Sequence, residues 1–200
     1  MRATIRMRFI IVGAIGFGVG GTIAAACWPL ASVTYGASAL LFILSGAIGG
    51  ASLGLALGDQ RRTVMLALLG TIGFTLGGIV ALVIAFGYIS GSEEYGTRGA
   101  MGIAAGAIVG ASLALAFLEF GDWKRRAIAL TLAGGVGFGA GTIIGTFALH
   151  GIFGEDFLVG TWGTIGIYAI TGIMGGASLG AALGYLEHRK RAEELRPRVR

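Results

Sequence analysis

Residues 46–58 read G-A-I-G-G-A-S-L-G-L-A-L-G, and nearly the same run returns at 106–118 (G-A-I-V-G-A-S-L-A-L-A-F-L) and at 172–184 (G-I-M-G-G-A-S-L-G-A-A-L-G). A small residue stands at nearly every fourth position of each run, which is otherwise apolar and ends near arginine and lysine residues. Residues four apart lie on one face of an α-helix. Each run therefore predicts a membrane helix with one face that is almost bare backbone.

The composition places these runs in a membrane protein. The 200 residues are 55% hydrophobic and only 12% charged, whereas about a quarter of the residues of a soluble domain are charged. Because a span requires about 20 apolar residues, the uncharged run 9–58 holds two spans and each later uncharged run holds one. The sequence predicts an all-α integral membrane protein with six transmembrane helices, at 9–29, 36–58, 63–88, 99–119, 127–149 and 160–186.

The six predicted helices form a repeat. The pattern around Phe17 on the first helix returns around Phe74 and Phe138, at offsets of 57 and 64 residues, and the quoted runs are offset by 60 and 66. Nearly equal offsets indicate that the repeating unit is a whole hairpin. We therefore expect three tandem glycine-zipper helical hairpins, related by a pseudo-threefold axis along the membrane normal. They comprise residues 1–60, 61–124 and 125–200, the last with a basic tail.

The glycine stripes predict close helix packing, because small residues at this spacing let two backbones approach. The stripe residues are Gly46, Gly50, Gly54, Gly58, Gly102, Gly106, Gly110, Gly172, Gly176, Gly180 and Gly184 on the even helices, and Gly16, Gly20, Gly73, Gly77, Gly137, Gly141 and Gly145 on the odd helices. We expect the three matched phenylalanines to fill grooves opposite such stripes. Since the middle stripe changes to Ala114 and Leu118, we expect its hairpin to be splayed at the cytoplasmic end.

The charges predict the orientation. With six spans, only Arg98 of the 15 basic residues falls on one side, and the other basic residues fall on the opposite side. By the positive-inside rule both termini are expected in the cytoplasm, with the chain in the cell (inner) membrane. The net charge of +5 then predicts attraction to the bilayer's anionic lipids at the cytoplasmic face rather than to nucleic acid.

Three matched serines, Ser52, Ser112 and Ser178, are the candidate functional residues. Each lies about 200° around its helix from the stripe, so three hydroxyls at one depth could line a conduit. The alternative is that each hydroxyl bonds the carbonyl four residues earlier on its own helix.

Other chemistry is not indicated. No Asp, Glu, Lys or Arg lies well inside a predicted span, which argues against a proton relay. The sequence contains one cysteine and no catalytic motif, so we predict no catalytic residue, no metal site, no cofactor and no enzymatic activity. The expected function is that of a structural or assembly subunit, in a homo-oligomer or a larger membrane complex. The alternatives are a small-solute channel or transport subunit and, less favoured, an enzyme acting on lipid.

Overall fold

All the regular secondary structure in the described part of the chain is helical. The computed structural model describes residues 2–31, 35–87, 94–119, 121–154 and 161–194, with side chains in 6–27, 42–84, 96–119, 121–154, 161–190 and 192. Within these ranges six α-helices follow one another, and a short 3₁₀ turn, Leu115–Phe117, follows the fourth. The helices are α1 (Arg2–Ala31), α2 (Tyr35–Leu57), α3 (Gln60–Gly87), α4 (Glu94–Ala114), α5 (Trp123–Phe153) and α6 (Thr161–Glu194).

The helices are long and apolar enough for a multi-pass membrane protein. Runs able to cross a membrane lie in five of them, at Arg6–Cys27, Gln60–Ile84, Gly96–Phe117, Trp123–Phe153 and Thr161–Lys190. The described part of α2 has a shorter apolar run, Phe42–Leu57. In hydrocarbon an unpaired backbone amide costs several kcal/mol, so a glycine-rich chain still forms helices there.

The helices differ from the predicted spans most at the two ends of the described chain, where α1 begins before residue 9 and α6 continues past residue 186, and also at the fourth helix. Its α-helical part ends at Ala114 and tightens into the 3₁₀ turn, rather than continuing to residue 119. Ala114 is 2% exposed, Ala116 7% and Phe117 0%. The end of the helix is therefore packed at Ala114 and Phe117 rather than splayed as predicted, whereas Leu118, the other residue that replaces a stripe glycine, is 51% exposed.

The six helices close into a ring. Each helix contacts the one before it and the one after it, and α6 contacts α1. One end of the ring is basic, and contacts cross it: the Arg8 guanidinium donates to the Leu55 carbonyl at 3.4 Å, and Arg61 lies 3.6 Å from Glu119. We call this end, which also carries Arg126 and Lys190, the basic end.

The core lies inside the ring, and the outer surface is apolar as well. Leu53, Leu113 and Leu179, which share one position of the quoted runs, are fully buried. On the outside, large aliphatic side chains such as Ile15 and Leu132 are about three-fifths exposed, at 60% and 62%. A helix that is apolar on all sides is typical of a membrane span.

Candidate functional site

The stripes of the even helices lie on the following odd helix. A side chain at Gly46 would overlap the carbonyl oxygen of Gly70, and a side chain at Gly70 would overlap that of Gly46. Gly106 and Gly134 form the same reciprocal pair between α4 and α5. The remaining even-helix stripe residues in contact with the next odd helix are Gly50, Gly54, Gly102, Gly110, Gly172, Gly176, Gly180 and Gly184. The even stripes therefore join one predicted hairpin to the next.

The pair that closes the ring, α6 with α1, has the same kind of contact in a different register. Here Gly13 and Gly176 are reciprocal, and Gly172 lies on the carbonyl of Phe17. By the sequence offsets, Gly172 rather than Gly176 would have been opposite Gly13. The closing pair is thus displaced by one helical turn, about 6 Å at 1.5 Å per residue.

The stripes of the odd helices lie against the even helix of their own predicted hairpin, on serine side chains at some positions and on backbone at others. Gly16 lies against Ser52, Gly137 lies 2.5 Å from the Ser178 Cβ, and Gly73 lies 3.0 Å from the Ser112 Cβ, when each glycine is given a Cβ. The other odd-helix stripe residues lie on the even helix of the same hairpin; they are Gly20, Gly77, Gly141 and Gly145.

The candidate serines therefore lie between helices. Each one occupies the space left by a glycine of the preceding helix. The Ser52 hydroxyl donates to the Gly49 carbonyl at 2.7 Å, which is the residue three positions earlier and not four as predicted. This arrangement accounts for small polar residues at these positions through packing.

Gly58 is not part of the stripe contact. It has φ of +73°, and no atom lies within 4 Å of the place where its Cβ would be. Its N–H donates to the Leu55 carbonyl at 3.1 Å. A left-handed residue just after a helix is the usual place for glycine, so Gly58 ends α2 ahead of a very short connection to α3.

The three matched phenylalanines meet inside the ring. The ring centroids of Phe17, Phe74 and Phe138 lie 5.5 to 5.8 Å from one another, one pair stacked and two pairs edge to face. Phe17 lies against Gly49 and Phe138 against Gly175, two glycines outside the predicted stripes, whereas the matched residue on α4 is Val109. Phe17 and Phe138 are buried and Phe74 only partly so. Aromatic side chains therefore occupy the centre of the ring at this level.

A buried arginine was not anticipated from the sequence. Arg126 is 0% exposed, although the Lys-Arg-Arg run that contains it was assigned to the cytoplasmic surface. Its Nε donates to Asp122 Oδ1 at 2.9 Å, and a terminal nitrogen donates to Glu187 Oε1 at 2.9 Å. Its guanidinium also lies 5.2 Å from the centre of the Phe117 ring. The signal in the sequence was the acid–base spacing of four residues from Asp122 to Arg126.

This ion-pair network lowers the pKa of Asp122. The hydrogen bond from Arg126, with a smaller contribution from Lys190, holds the pKa of the Asp122 carboxyl below its usual range. A buried charge requires hydrogen-bonded partners, and here they come from the start of α5 and from α6. The network fastens these two helices at the basic end.

Potential metal ligands do not cluster in the part of the chain that the structure describes. No group of three or more histidine, cysteine, aspartate or glutamate residues lies close enough there to hold a metal ion. His150, Glu155 and Asp156 follow one another closely in the sequence and are potential metal ligands, but residues 155 and 156 lie outside the described ranges.

Comparison with known proteins gave no relative from which a role could be inferred. Models of protein families, curated proteins and solved structures were compared with the chain, and none of them matched. The function is therefore argued below from the geometry of the chain's own residues.

Proposed function

We propose that this chain is a structural or assembly protein of the membrane, without catalytic activity, that associates with itself or with a larger membrane complex. Its architecture in this proposal is six transmembrane helices arranged as three glycine-zipper hairpins. The observation that carries the proposal is the packed centre of the ring, where Phe17, Phe74 and Phe138 are in mutual contact. Side chains, rather than a site for a reacting molecule, fill this position.

The repeat is supported by contacts that recur at equivalent positions. Gly16 against Ser52 in the first hairpin recurs as Gly73 against Ser112 and as Gly137 against Ser178. The interface between the first and second hairpins also recurs between the second and third. Only the closing interface is displaced, by one turn. We therefore propose a pseudo-threefold repeat with a seam between α6 and α1.

The outer surface supports association within a bilayer. Large apolar side chains are exposed all around the ring, for instance Leu68 at 60% and Val136 at 65%. Lipid or the apolar surface of another membrane subunit would cover them. In this proposal the protein lies in the cell membrane with the basic end in the cytoplasm, where anionic lipids attract arginine and lysine.

Association can be tested in native membranes and after purification. The proposal predicts that a cross-linker applied to native membranes captures a homo-oligomer or a defined membrane partner, and that the purified complex keeps this composition in lipid nanodiscs. Vesicles containing the protein should release trapped ions and small solutes no faster than empty vesicles. A chain that stays monomeric and uncross-linked at every protein-to-lipid ratio would contradict the proposal.

The second candidate is a small-solute channel or transport subunit without an intramembrane proton relay. Hydroxyl groups buried among the helices favour it: Ser45 is 2% exposed and Thr146 1%, and the Thr171 and Thr142 hydroxyls lie 3.3 Å apart. If this candidate is right, reconstituted vesicles leak a small solute and Ser112→Leu slows the leak. Leu113→Ala, which alters a buried residue next to Ser112 without blocking a polar path, should not slow it.

A further inference from the structure

A cavity opens at the basic end, between the start of α5 and the last turns of α6. It has a volume of about 100 Å³ and is lined by Asp122, Arg125, Leu186, Arg189 and Lys190. Since a water molecule takes up about 30 Å³ of liquid, the cavity has room for about three waters. A small anion fits this space, and a nucleotide does not.

The lining of the cavity is positively charged. Arg125, Arg189 and Lys190 contribute three cations, and Asp122 is the single acid among the lining residues. The Asp122 carboxylate is already engaged by Arg126, so it opposes an anion less than an unpaired carboxylate would. The cavity also adjoins the N-terminus of α5, whose positive dipole end favours anions.

The surroundings of the cavity are those of a membrane interface. Trp123 and Tyr185, each next in sequence to a lining residue, are 38% and 48% exposed, and such residues are enriched where a membrane meets water. Below Arg125 an exposed apolar stripe runs along α5, made of Ile128, Leu132 and Val136, each more than 60% exposed. These residues are spaced four apart and so lie on one face of the helix.

We propose that this cavity binds the phosphate group of an anionic phospholipid, with its acyl chains along the apolar stripe of α5. Arg125, Arg189 and Lys190 surround the phosphate. A soluble phosphate ion shares this chemistry, but it has no acyl chain that could lie along the stripe of Ile128, Leu132 and Val136. The inference rests on the proposed function in one respect, the placement of the basic end at a membrane face.

The test is native mass spectrometry of the purified full chain in detergent, titrated with phosphatidylglycerol or with phosphatidylcholine of the same acyl chains. We expect one phosphatidylglycerol to be retained at a concentration about tenfold lower than phosphatidylcholine. The double variant Arg125→Gln/Lys190→Gln should lose this preference, because each basic residue near the surface contributes to anionic lipid binding. A parallel titration with inorganic phosphate tests the soluble source.

The control is Arg61→Gln, which removes the same charge at the same end but outside the cavity. Arg61 is 78% exposed and pairs only loosely with Glu119, so this variant should bind as the wild type does. Equal weakening in Arg61→Gln, equal binding of the two lipids, or retention of inorganic phosphate without lipid preference would each overturn the proposal. Arg125→Gln alone, at an exposed side chain, gives the same comparison if the double variant fails to fold.

The same samples separate this inference from the proposed function. Selective lipid binding by a chain that neither self-associates nor captures a partner would contradict the assembly role and support the lipid site. Stable association without lipid preference would support the assembly role and overturn the lipid site.

Discussion

Where α4 meets α5, a side chain at Gly106 would overlap the Gly134 carbonyl; where α3 meets α4, a side chain at Gly73 would lie 3.0 Å from the Ser112 Cβ and the Val109 Cα. The first kind of interface places backbone on backbone. The second has a serine side chain between the two helices at Gly73, as it does at the equivalent Gly16 and Gly137. The two kinds alternate around the ring.

Glycine, and not the length of the connection, explains the close approach. The α2–α3 pair is joined by Gly58 and Asp59 alone, whereas α6 and α1 are the two ends of the described chain and no loop joins them. Yet Gly13 and Gly176 approach as closely as Gly46 and Gly70. Association in lipid relies on such packing because there is no hydrophobic drive between helices.

The largest expected effect on stability is at the α5–α6 interface, which the buried ion pair of Arg126 and Glu187 also holds. Arg126→Ala should lower the free energy of unfolding by about 3–5 kcal/mol, because the largely buried Glu187 loses its partner. Unfolding in a detergent mixture, followed by circular dichroism, measures the change. Arg61→Ala, at a 78% exposed side chain, should change it little, and equal losses in the two variants would contradict the account.

Two adjacent glycines of α5 test the backbone-on-backbone interface. Gly134→Ala should lower the free energy of unfolding by about 1–3 kcal/mol through overpacking, since its new methyl group meets the backbone of α4. Gly135→Ala should be tolerated, because its nearest neighbour would be the Ile103 carbonyl at 3.4 Å. The same unfolding assay applies. Equal losses of stability in the two variants would contradict the account, because they would mean that contact with the α4 backbone does not determine the loss.

At the α1–α2 interface, where a glycine faces a serine side chain, a second substitution should restore the stability that a first one removes. Gly16→Ala should destabilise α1 against α2 by about 1–2 kcal/mol, because its methyl group would overlap the Ser52 side chain. Adding Ser52→Gly removes the obstacle, and the next contact is the Ile48 carbonyl at 3.5 Å. A double-mutant cycle should therefore show recovery. If the effects of the two substitutions on the free energy of unfolding simply add, the contact between Gly16 and Ser52 is refuted.

The smallest expected effect is the pH dependence of the ion pair at the basic end. Because the folded protein holds the Asp122 pKa below its usual range, the stabilisation is complete above the ordinary carboxyl pKa and decreases as pH falls through the folded value. The Asp122 side chain is 48% exposed, so solvent screens the effect. Stability measured against acid pH should fall less steeply in Asp122→Asn than in the wild type.

Much of the fold could be predicted from the sequence, because hydropathy and glycine spacing report directly on helices and their small faces. The starts of α2, α3 and α6 lie within three residues of the predicted ones. A stripe shows which face of a helix carries small residues, but it does not show which helix packs on that face. The contact of the even-helix stripes with the next hairpin therefore could not be predicted. Gly58 followed the period of the stripe, but its position after α2 makes it a helix end.

The candidate site was less predictable, because burial depends on residues distant in sequence. Arg126 is adjacent to the exposed Arg125, and its burial depends on Glu187, a partner distant in sequence on α6, as well as on the nearby Asp122. Phe74 matches Phe17 in the repeat, but the replacement of a glycine by Val109 on the facing helix leaves it less buried. Single side chains thus make the three proposed hairpins unequal.

The closure of the ring by α6 on α1 is tested most directly by a disulfide between these helices. A Cβ at Gly184 lies 3.4 Å from the Phe9 Cβ, close to the separation of about 3.5–4.5 Å in disulfides. In a Cys27→Ser background, Phe9→Cys/Gly184→Cys should oxidise within one chain and run as a monomer with altered mobility on a gel. Ile11→Cys/Gly184→Cys, with Ile11 on the outer surface at 49% exposure, should not. Failure of the first pair to cross-link, or cross-linking only between chains, would contradict the closed ring.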